Sequence, residues 1–276
     1  MTNLQANNQD PFWIFEHTGW ERCAKPYHRF FSSVTNQAIE SLLDSVEIIR
    51  GMRLLDVATG PGYVATAAAK RGTIVTGIDF ATAMLAEARQ QNPNIDFMEG
   101  DAEALPFPNE SFDAVTINFG MVHFGKPERA LEEAHRVLCS GGRAAFTVWE
   151  TTDKTIGFKI ILDAIKAHGS IDVPLQSGPP FFRFSDHEES RKAFLHAGFI
   201  EPTVKVVPQV WRPGSPEEVF QAFYDGAARN GQLLRAQSAE SLNAIRAAVQ
   251  KEASIHEKKG ILELPMPAIL VSAQKP

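Results

Sequence analysis

The stretch Leu54-Leu55-Asp56-Val57-Ala58-Thr59-Gly60-Pro61-Gly62-Tyr63 decides the fold. An apolar run from Met52 to Val57 leads into a Gly-x-Gly turn, and a helix rich in small residues follows over 65–71. A second apolar run, Thr73-Ile74-Val75-Thr76-Gly77-Ile78, ends in an acid, Asp79, 19 residues after Gly60. Strand, glycine turn, helix, strand and acid in that order place a nucleotide-like ligand over the turn and its ribose hydroxyls on the acid. Glycine lets the backbone approach the ligand closely, and a carboxylate accepts hydrogen bonds from both ribose hydroxyls.

Two details narrow the ligand. A dinucleotide fingerprint needs a third glycine where this chain has Ala65. Asp56 stands ahead of the glycines, where it repels a pyrophosphate and suits a cation. S-adenosylmethionine carries a sulfonium and an ammonium and no phosphate. At these residues the chain resembles the class I S-adenosylmethionine-dependent methyltransferases, and within them the small-molecule group that includes the ubiquinone-biosynthesis-type enzymes.

The resemblance implies a Rossmann-like, doubly wound α/β fold with seven mostly parallel strands and an antiparallel last strand. It rests on specific motifs over about residues 50–150 and on general layout elsewhere. Asp56, Ala58, Gly60 and Gly62 match the family's first motif, with Ala58 standing where the family has its first glycine. By the same resemblance Asp79 binds the ribose and Phe80 packs on the adenine ring. A structural alternative for Asp79 is to cap the helix that starts at Ala81. Gly100-Asp101-Ala102-Glu103-Ala104-Leu105-Pro106-Phe107 resembles the family's Gly-Asp-Ala-x-x-Leu-Pro-Phe segment. There the Asp101 position accepts from the adenine amino group and the Ala102 N–H donates to a ring nitrogen. The alternative is an Asp that closes its own turn.

The rest of the chain alternates in the same way. Strands are predicted at 52–57, 73–79, 95–99, 112–119 and 143–149, with helices at 81–91, 128–138, 155–168 and 186–197. Helical periodicity over 20–49 is interrupted at Pro26. The last two strands are predicted at 204–211 and 268–273, with helical stretches at 216–229 and 238–257 between them. Alternating helices and strands imply a mostly parallel sheet covered on both faces. The domain reading is a helical cap over 1–50, a core over 51–212 and 263–276, and a helical insertion over 213–262. An insertion of that length beside a site is expected to be a lid, or else a surface embellishment.

Composition limits the partners. The chain has 276 residues with 33 acids against 27 bases, a net charge of −6, and no basic run of the kind that nucleic acid needs. Two cysteines, Cys23 and Cys139, are too few for a disulfide framework or a zinc site. There is no charged region followed by an apolar one at the start, and no apolar run of the ~18 residues a spanning helix needs. A cytoplasmic protein without membrane span or metal, acting on a small molecule, is the expectation.

The acceptor side is less legible. Methyl transfer from a sulfonium is an in-line displacement in which holding the nucleophile close supplies most of the rate. A base is needed only when the acceptor atom arrives protonated. Asn118 and Phe119, at the end of the fourth strand, should lie beside the methionine part of the cofactor. His123, a few residues on, is the candidate base, with a packing or capping histidine as the alternative. Tyr27 could reach the cofactor carboxylate, whereas His17 and His28 read as structural. Aromatic residues gather at Phe12–Trp20, Phe30–Phe31, Phe181–Phe184 and Phe220–Tyr224, which favours an apolar acceptor. Asn118-Phe119-Gly120-Met121 is not the Asn/Asp-Pro-Pro-aromatic sequence of base-methylating enzymes. Acids that would hold magnesium, or serve arginine methylation, are missing from that loop, and Glu132-Glu133 is expected to face solvent. The function read here is methyl transfer to O, N or C of a small, fairly apolar metabolite. The rival readings are a protein that binds the same cofactor without transferring methyl, and an NAD-dependent oxidoreductase.

Overall fold

The computed structural model describes residues 10–276. Helix α1 (Pro11–Phe30) opens it, with the Asp10 carboxylate accepting from Phe12 N at 2.8 Å and Pro11 at the first helical position. Both are favoured there, because the first turn has N–H groups without helical partners. The helix runs through Pro26, contrary to the expected interruption. A proline removes one ladder bond, and the packing of the helix outweighs that loss. Buried Phe12, Glu16, Cys23, Ala24 and Phe30 hold the helix on both sides of Pro26. A short helix α2 (Ile39–Ser45), burying Ile39, Leu42 and Leu43, leads to the sheet.

The core alternates β1 (Arg53–Val57), α3 (Tyr63–Lys70), β2 (Ile74–Asp79), α4 (Thr82–Gln91), β3 (Asp96–Glu99), β4 (Phe112–Asn118), α5 (Pro127–Val137), β5 (Leu138–Trp149), α6 (Ile156–His168), α7 (His187–His196) and β6 (Ile200–Val207). The final strand, Ala268–Gln274, closes a seven-stranded sheet by inserting between β5 and β6, antiparallel to both. The other pairs, β3–β2, β2–β1, β1–β4 and β4–β5, are parallel. This is the Rossmann-like arrangement expected from the sequence. The order in which strands are added reverses between the parallel neighbours β1 and β4, where Asp56 lies opposite Thr116.

Successive residues along each strand go to opposite faces, as the pleat requires. Leu54, Ala114, Ala145 and Leu270 join one buried cluster, and Leu55, Val115, Phe146 and Val271 join the other. Covering both faces explains why these strands read as continuous apolar runs.

Three stretches depart from expectation. β5 begins at Leu138, five residues early, because Gly141 N donates to Lys275 O and Lys275 N donates to Gly142 O, extending the ladder. Gly141, at φ 79°, supplies the bend where the β4–β5 register shifts. β6 starts earlier than predicted because Ile200 already pairs with Gln274, and it ends earlier because Pro208 has no N–H to continue it. Val210–Trp211 (β7) instead pairs with Leu264–Pro265 in a separate two-stranded sheet. The insertion holds three helices rather than two: α8 (Pro216–Gly226), α9 (Ala228–Arg235) and α10 (Ala239–Ile255). Ala227 is extended, at φ −113° and ψ 123°, and breaks the expected 216–229 helix. The break lets Arg229 begin a new direction. α8 and α9 pack on α1, and α10 packs on α6. Close approach is possible because Gly19 faces Ala228, where a Cβ would come within 2.9 Å. A two-residue hairpin, Glu257–Lys258 with Ile261–Leu262, was not foreseen.

Candidate functional site

A cavity lies over the carboxyl ends of β1, β2 and β4 and beneath α1, the 178–182 loop and the 226–230 break. Its floor is the turn after β1. Ala58 and Gly60 both have φ 54°, and Gly62 has φ 80°. Left-handed backbone costs an L-residue about 1–2 kcal/mol, so Ala58 carries strain where the family pattern has glycine. A Cβ on Gly60 would meet nothing within 4 Å, leaving the floor open to a ligand at that point. Gly62 differs from the expectation. It does not line the cavity, and its α-carbon faces the Phe97 ring, where a Cβ would approach to 2.8 Å. Its role is to let α3 start against β3.

Asp56 lines the cavity, yet its two oxygens accept from Thr59 Oγ1 at 2.6 Å and Thr116 Oγ1 at 3.0 Å. Burial raises its pKa to about 7 against the opposing hydroxyl bonds. It braces the glycine turn against β4 in addition to bordering the cavity.

Asp79 ends β2 and is 6% exposed. Oδ2 accepts from Gly60 N at 2.8 Å and Oδ1 from Ala81 N at 2.9 Å, so one carboxylate joins the glycine turn to the start of α4. The bond to Ala81 N closes a local turn ahead of α4, whose N-cap is Ala81 without a side-chain cap bond, so Asp79 is not the helix cap of the alternative reading. Burial lifts its pKa to about 6, and the N–H groups of Ala81, Gly60 and Phe80 oppose that rise. A carboxylate has about four acceptor positions, so the carboxylate retains capacity for a further donor. Phe80, beside it, meets the edges of Trp13 and His17 at 5.6 and 5.5 Å.

Asp101 and Ala102 follow β3 and line the same cavity. Asp101 Oδ1 accepts from Glu103 N at 2.8 Å, the self-closing turn that stood as the alternative to an adenine contact. The loop is pinned from behind by Glu133, which is 4% exposed and accepts from Leu105 N at 2.8 Å while pairing with Arg136. Glu133 was expected in solvent, and only its neighbour Glu132 is open. A buried carboxylate needs such partners.

Asn118 Oδ1 accepts from Thr147 Oγ1 at 2.6 Å, and Phe119 packs against Trp149 with centroids 4.2 Å apart. Phe119 itself has φ 57°, held by its N–H donating to Thr147 O. Tyr27 lines the cavity with its hydroxyl donating to Thr35 Oγ1 at 3.3 Å. His28 bonds the Tyr63 hydroxyl, and His17 stacks on Trp13.

His123 also reaches the cavity, and its environment was not foreseen. Its Nδ1 lies 2.9 Å from Glu16 Oε2, and Arg229 Nε donates to Glu16 Oε1. Glu16 is wholly buried. Burial alone would raise its pKa, but His123 and Arg229 hold it below the ordinary carboxylate value. Arg229 also donates to Pro179 O at 3.0 Å and to Val122 O. No local pattern signals this cluster, since Glu16 is 107 residues from His123 and 213 from Arg229.

Of the aromatic residues singled out by sequence, Trp13, Trp20, Phe31 and Phe181 line the cavity, joined by Phe124, Trp149 and Phe158. Phe30, Phe220 and Phe223 are core, and Phe184 packs in the cluster on the other face of the sheet. Among the described residues no cluster of three or more His, Cys, Asp or Glu side chains has the makings of a metal site. Among them too, no helix is long and apolar enough to cross a membrane.

Residues 55–146 match a family profile described as a methyltransferase domain. The chain is 42% identical over 116 residues to a demethylmenaquinone methyltransferase of Renibacterium salmoninarum. That match covers 42% of this chain and 48% of the relative, so the chain spans about half of the length of that relative. A crystal structure of a putative methyltransferase from Bacillus halodurans superposes with a TM-score of 0.55 at 21% identity, covering 86% of this chain and 98% of the other. The cyclase SpnF superposes equally well, with a TM-score of 0.55 at 22% identity over 87% of this chain and 81% of its own. These two likenesses show a shared fold.

Proposed function

We propose that this chain, with its methyltransferase domain at residues 55–146, binds S-adenosylmethionine over the glycine turn and transfers the methyl group to O, N or C of a small, fairly apolar metabolite. The observation that carries the reading is Asp79: a buried carboxylate that lines the cavity, tied to Gly60 and Ala81 and keeping acceptor capacity. Two ribose hydroxyls are the donors that such a carboxylate suits. Open space at Gly60 supports the same assignment.

In this reading Phe80 packs on the adenine ring, Asp101 accepts from its amino group and the Ala102 N–H donates to a ring nitrogen. Ala58 and Gly60 give backbone contact, with Asn118, Phe119 and Tyr27 toward the methionine end. The cofactor supplies an electrophilic methyl group on a sulfonium. The protein's work is to hold the acceptor in line with it and to keep water out. Trp13, Trp20 and Phe181 give that compartment an apolar wall. Helices α8 to α10 are proposed to serve with α1 as a lid, because Arg229 reaches α1, the 179 carbonyl and the turn after β4 at once.

Similarity to demethylmenaquinone methyltransferase over the domain is consistent with a ring-bearing acceptor. Calorimetric titration with S-adenosylmethionine and, separately, NAD tests the cofactor. Binding of NAD in preference would overturn the assignment. A metabolite screen that yields S-adenosylhomocysteine and a product heavier by one methyl tests transfer. Binding with no transfer to any acceptor would favour another reaction on the same cofactor.

A further inference from the structure

We infer that Glu16 positions His123 as the proton acceptor for a neutral ring hydroxyl undergoing methylation; the inference rests on the methyl-transfer reading above. A wholly buried carboxylate is costly unless paired, and Glu16 is paired on both oxygens, with His123 Nδ1 at 2.9 Å and Arg229 on the other side. An ionised carboxylate only accepts, so the proton of a neutral imidazole must sit on Nδ1. That tautomer leaves the lone pair on Nε2. Among the described residues Nε2 has no hydrogen-bond partner, while His123 lines the cavity with its side chain 16% exposed.

Arg229 fixes both the charge and the class of acceptor. Its guanidinium matches the Glu16 charge and lies over the Phe12 ring at 4.7 Å. It is the one cationic Lys or Arg lining the cavity among the described residues, and three of its five N–H donors go to Glu16, Pro179 O and Val122 O. A carboxylate or phosphate acceptor would therefore meet a cation whose charge Glu16 already matches. The ring of Trp20 meets His123 edge-on at 4.7 Å and Phe181 does so at 6.0 Å. Flat apolar walls around a single lone pair suit a planar ring that carries a hydroxyl group.

The step balances. The hydroxyl oxygen forms its bond to the methyl carbon as the C–S bond breaks, and that bonding pair stays on sulfur, which becomes a neutral thioether. The hydroxyl proton passes to His123 Nε2 and leaves to solvent after product release. The imidazolium formed is stabilised by the carboxylate 2.9 Å away. The charged groups facing His123 are Glu16 from α1 and, through it, Arg229 from α9.

The test uses protein loaded with S-adenosylhomocysteine and 4-nitrophenol as the probe, at about one pH unit below the solution pKa of the probe. Bound probe should show the phenolate band in the native protein and lose it in Glu16→Gln and in His123→Asn, with S-adenosylhomocysteine affinity unchanged in all three. His123→Asn leaves the Glu16–Arg229 pair in place, so it reports on the proton acceptor even if Glu16→Gln fails to fold. A phenolate band retained in folded Glu16→Gln would remove the positioning role, and one retained in His123→Asn would remove the dyad. Native protein that binds the probe as the neutral phenol, or not at all, would overturn the inference while leaving the cofactor reading intact. Loss of S-adenosylhomocysteine binding by the native protein would instead sink the underlying function.

Discussion

Replacing Asp79 with alanine removes the two acceptor positions proposed for the ribose. Hydrogen bonds to a charged group contribute roughly 1.5–3 kcal/mol each, so losing both should cost about 3–6 kcal/mol of binding. Water will satisfy part of that demand in the variant, and the conservative expectation is a loss of at least tenfold, about 1.4 kcal/mol. The same substitution frees the N–H groups of Gly60 and Ala81, so a folded variant must first be shown by circular dichroism. Asp79→Asn is the companion. It keeps the volume but turns an amide donor toward either Gly60 N–H or Ala81 N–H, and it accepts on one atom only. Isothermal calorimetry at pH 8, where a carboxyl titrating at about 6 is ionised, is the assay. Unchanged S-adenosylmethionine affinity in folded Asp79→Ala would refute the ribose assignment and the reasoning from acceptor positions.

The other predictions follow from the same geometry. Cofactor affinity should fall as pH drops below about 6, by up to tenfold per unit, because protonated Asp79 loses acceptor strength; the slope should vanish in Asp79→Asn. Asp56 and Asp79 have folded pKa values raised to about 7 and about 6, so they bind protons more tightly when folded. The stability they contribute is full below about pH 4 and lost as pH rises towards 7, and thermal melts of the ligand-free protein should show this decline flattened in Asp56→Asn. Gly62→Ala puts a side chain at φ 80° and within 2.8 Å of the Phe97 ring, and denaturant melts should show a loss of at least ~1–2 kcal/mol. Glu133→Ala leaves the buried Leu105 N–H without its acceptor and should cost about 1–3 kcal/mol, with unchanged stability contradicting the clamp on the 101–109 loop.

What could be read from sequence was local. Asp56, Gly60 and Asp79 belong to one strand–turn–helix–strand unit, so spacing along the chain fixes their spacing in space. The strands of the core were visible because each buries both faces and lies between turn residues. Harder cases involved partners remote in sequence. β5 starts at Leu138 because Lys275 pairs with the Gly141–Gly142 bend, which no pattern near residue 140 announces. Glu133 looks like a solvated helix acid until Leu105 and Arg136 are brought to it. Pro26 looked like a break because a proline withholds its N–H, whereas packing on both sides keeps α1 whole. Gly62 matched a motif position, yet it serves helix α3 and lies outside the cavity. The union of Glu16, His123 and Arg229 needs three separate elements to meet, one of them a helix that starts only because Ala227 is extended.

A crystal structure of the native protein with S-adenosylhomocysteine tests the central claim most directly. The account predicts the ribose hydroxyls on Asp79, one on each carboxylate oxygen, with the adenine against Phe80 and its amino group on Asp101. A ligand bound elsewhere, or bound here with its ribose away from Asp79, would contradict it.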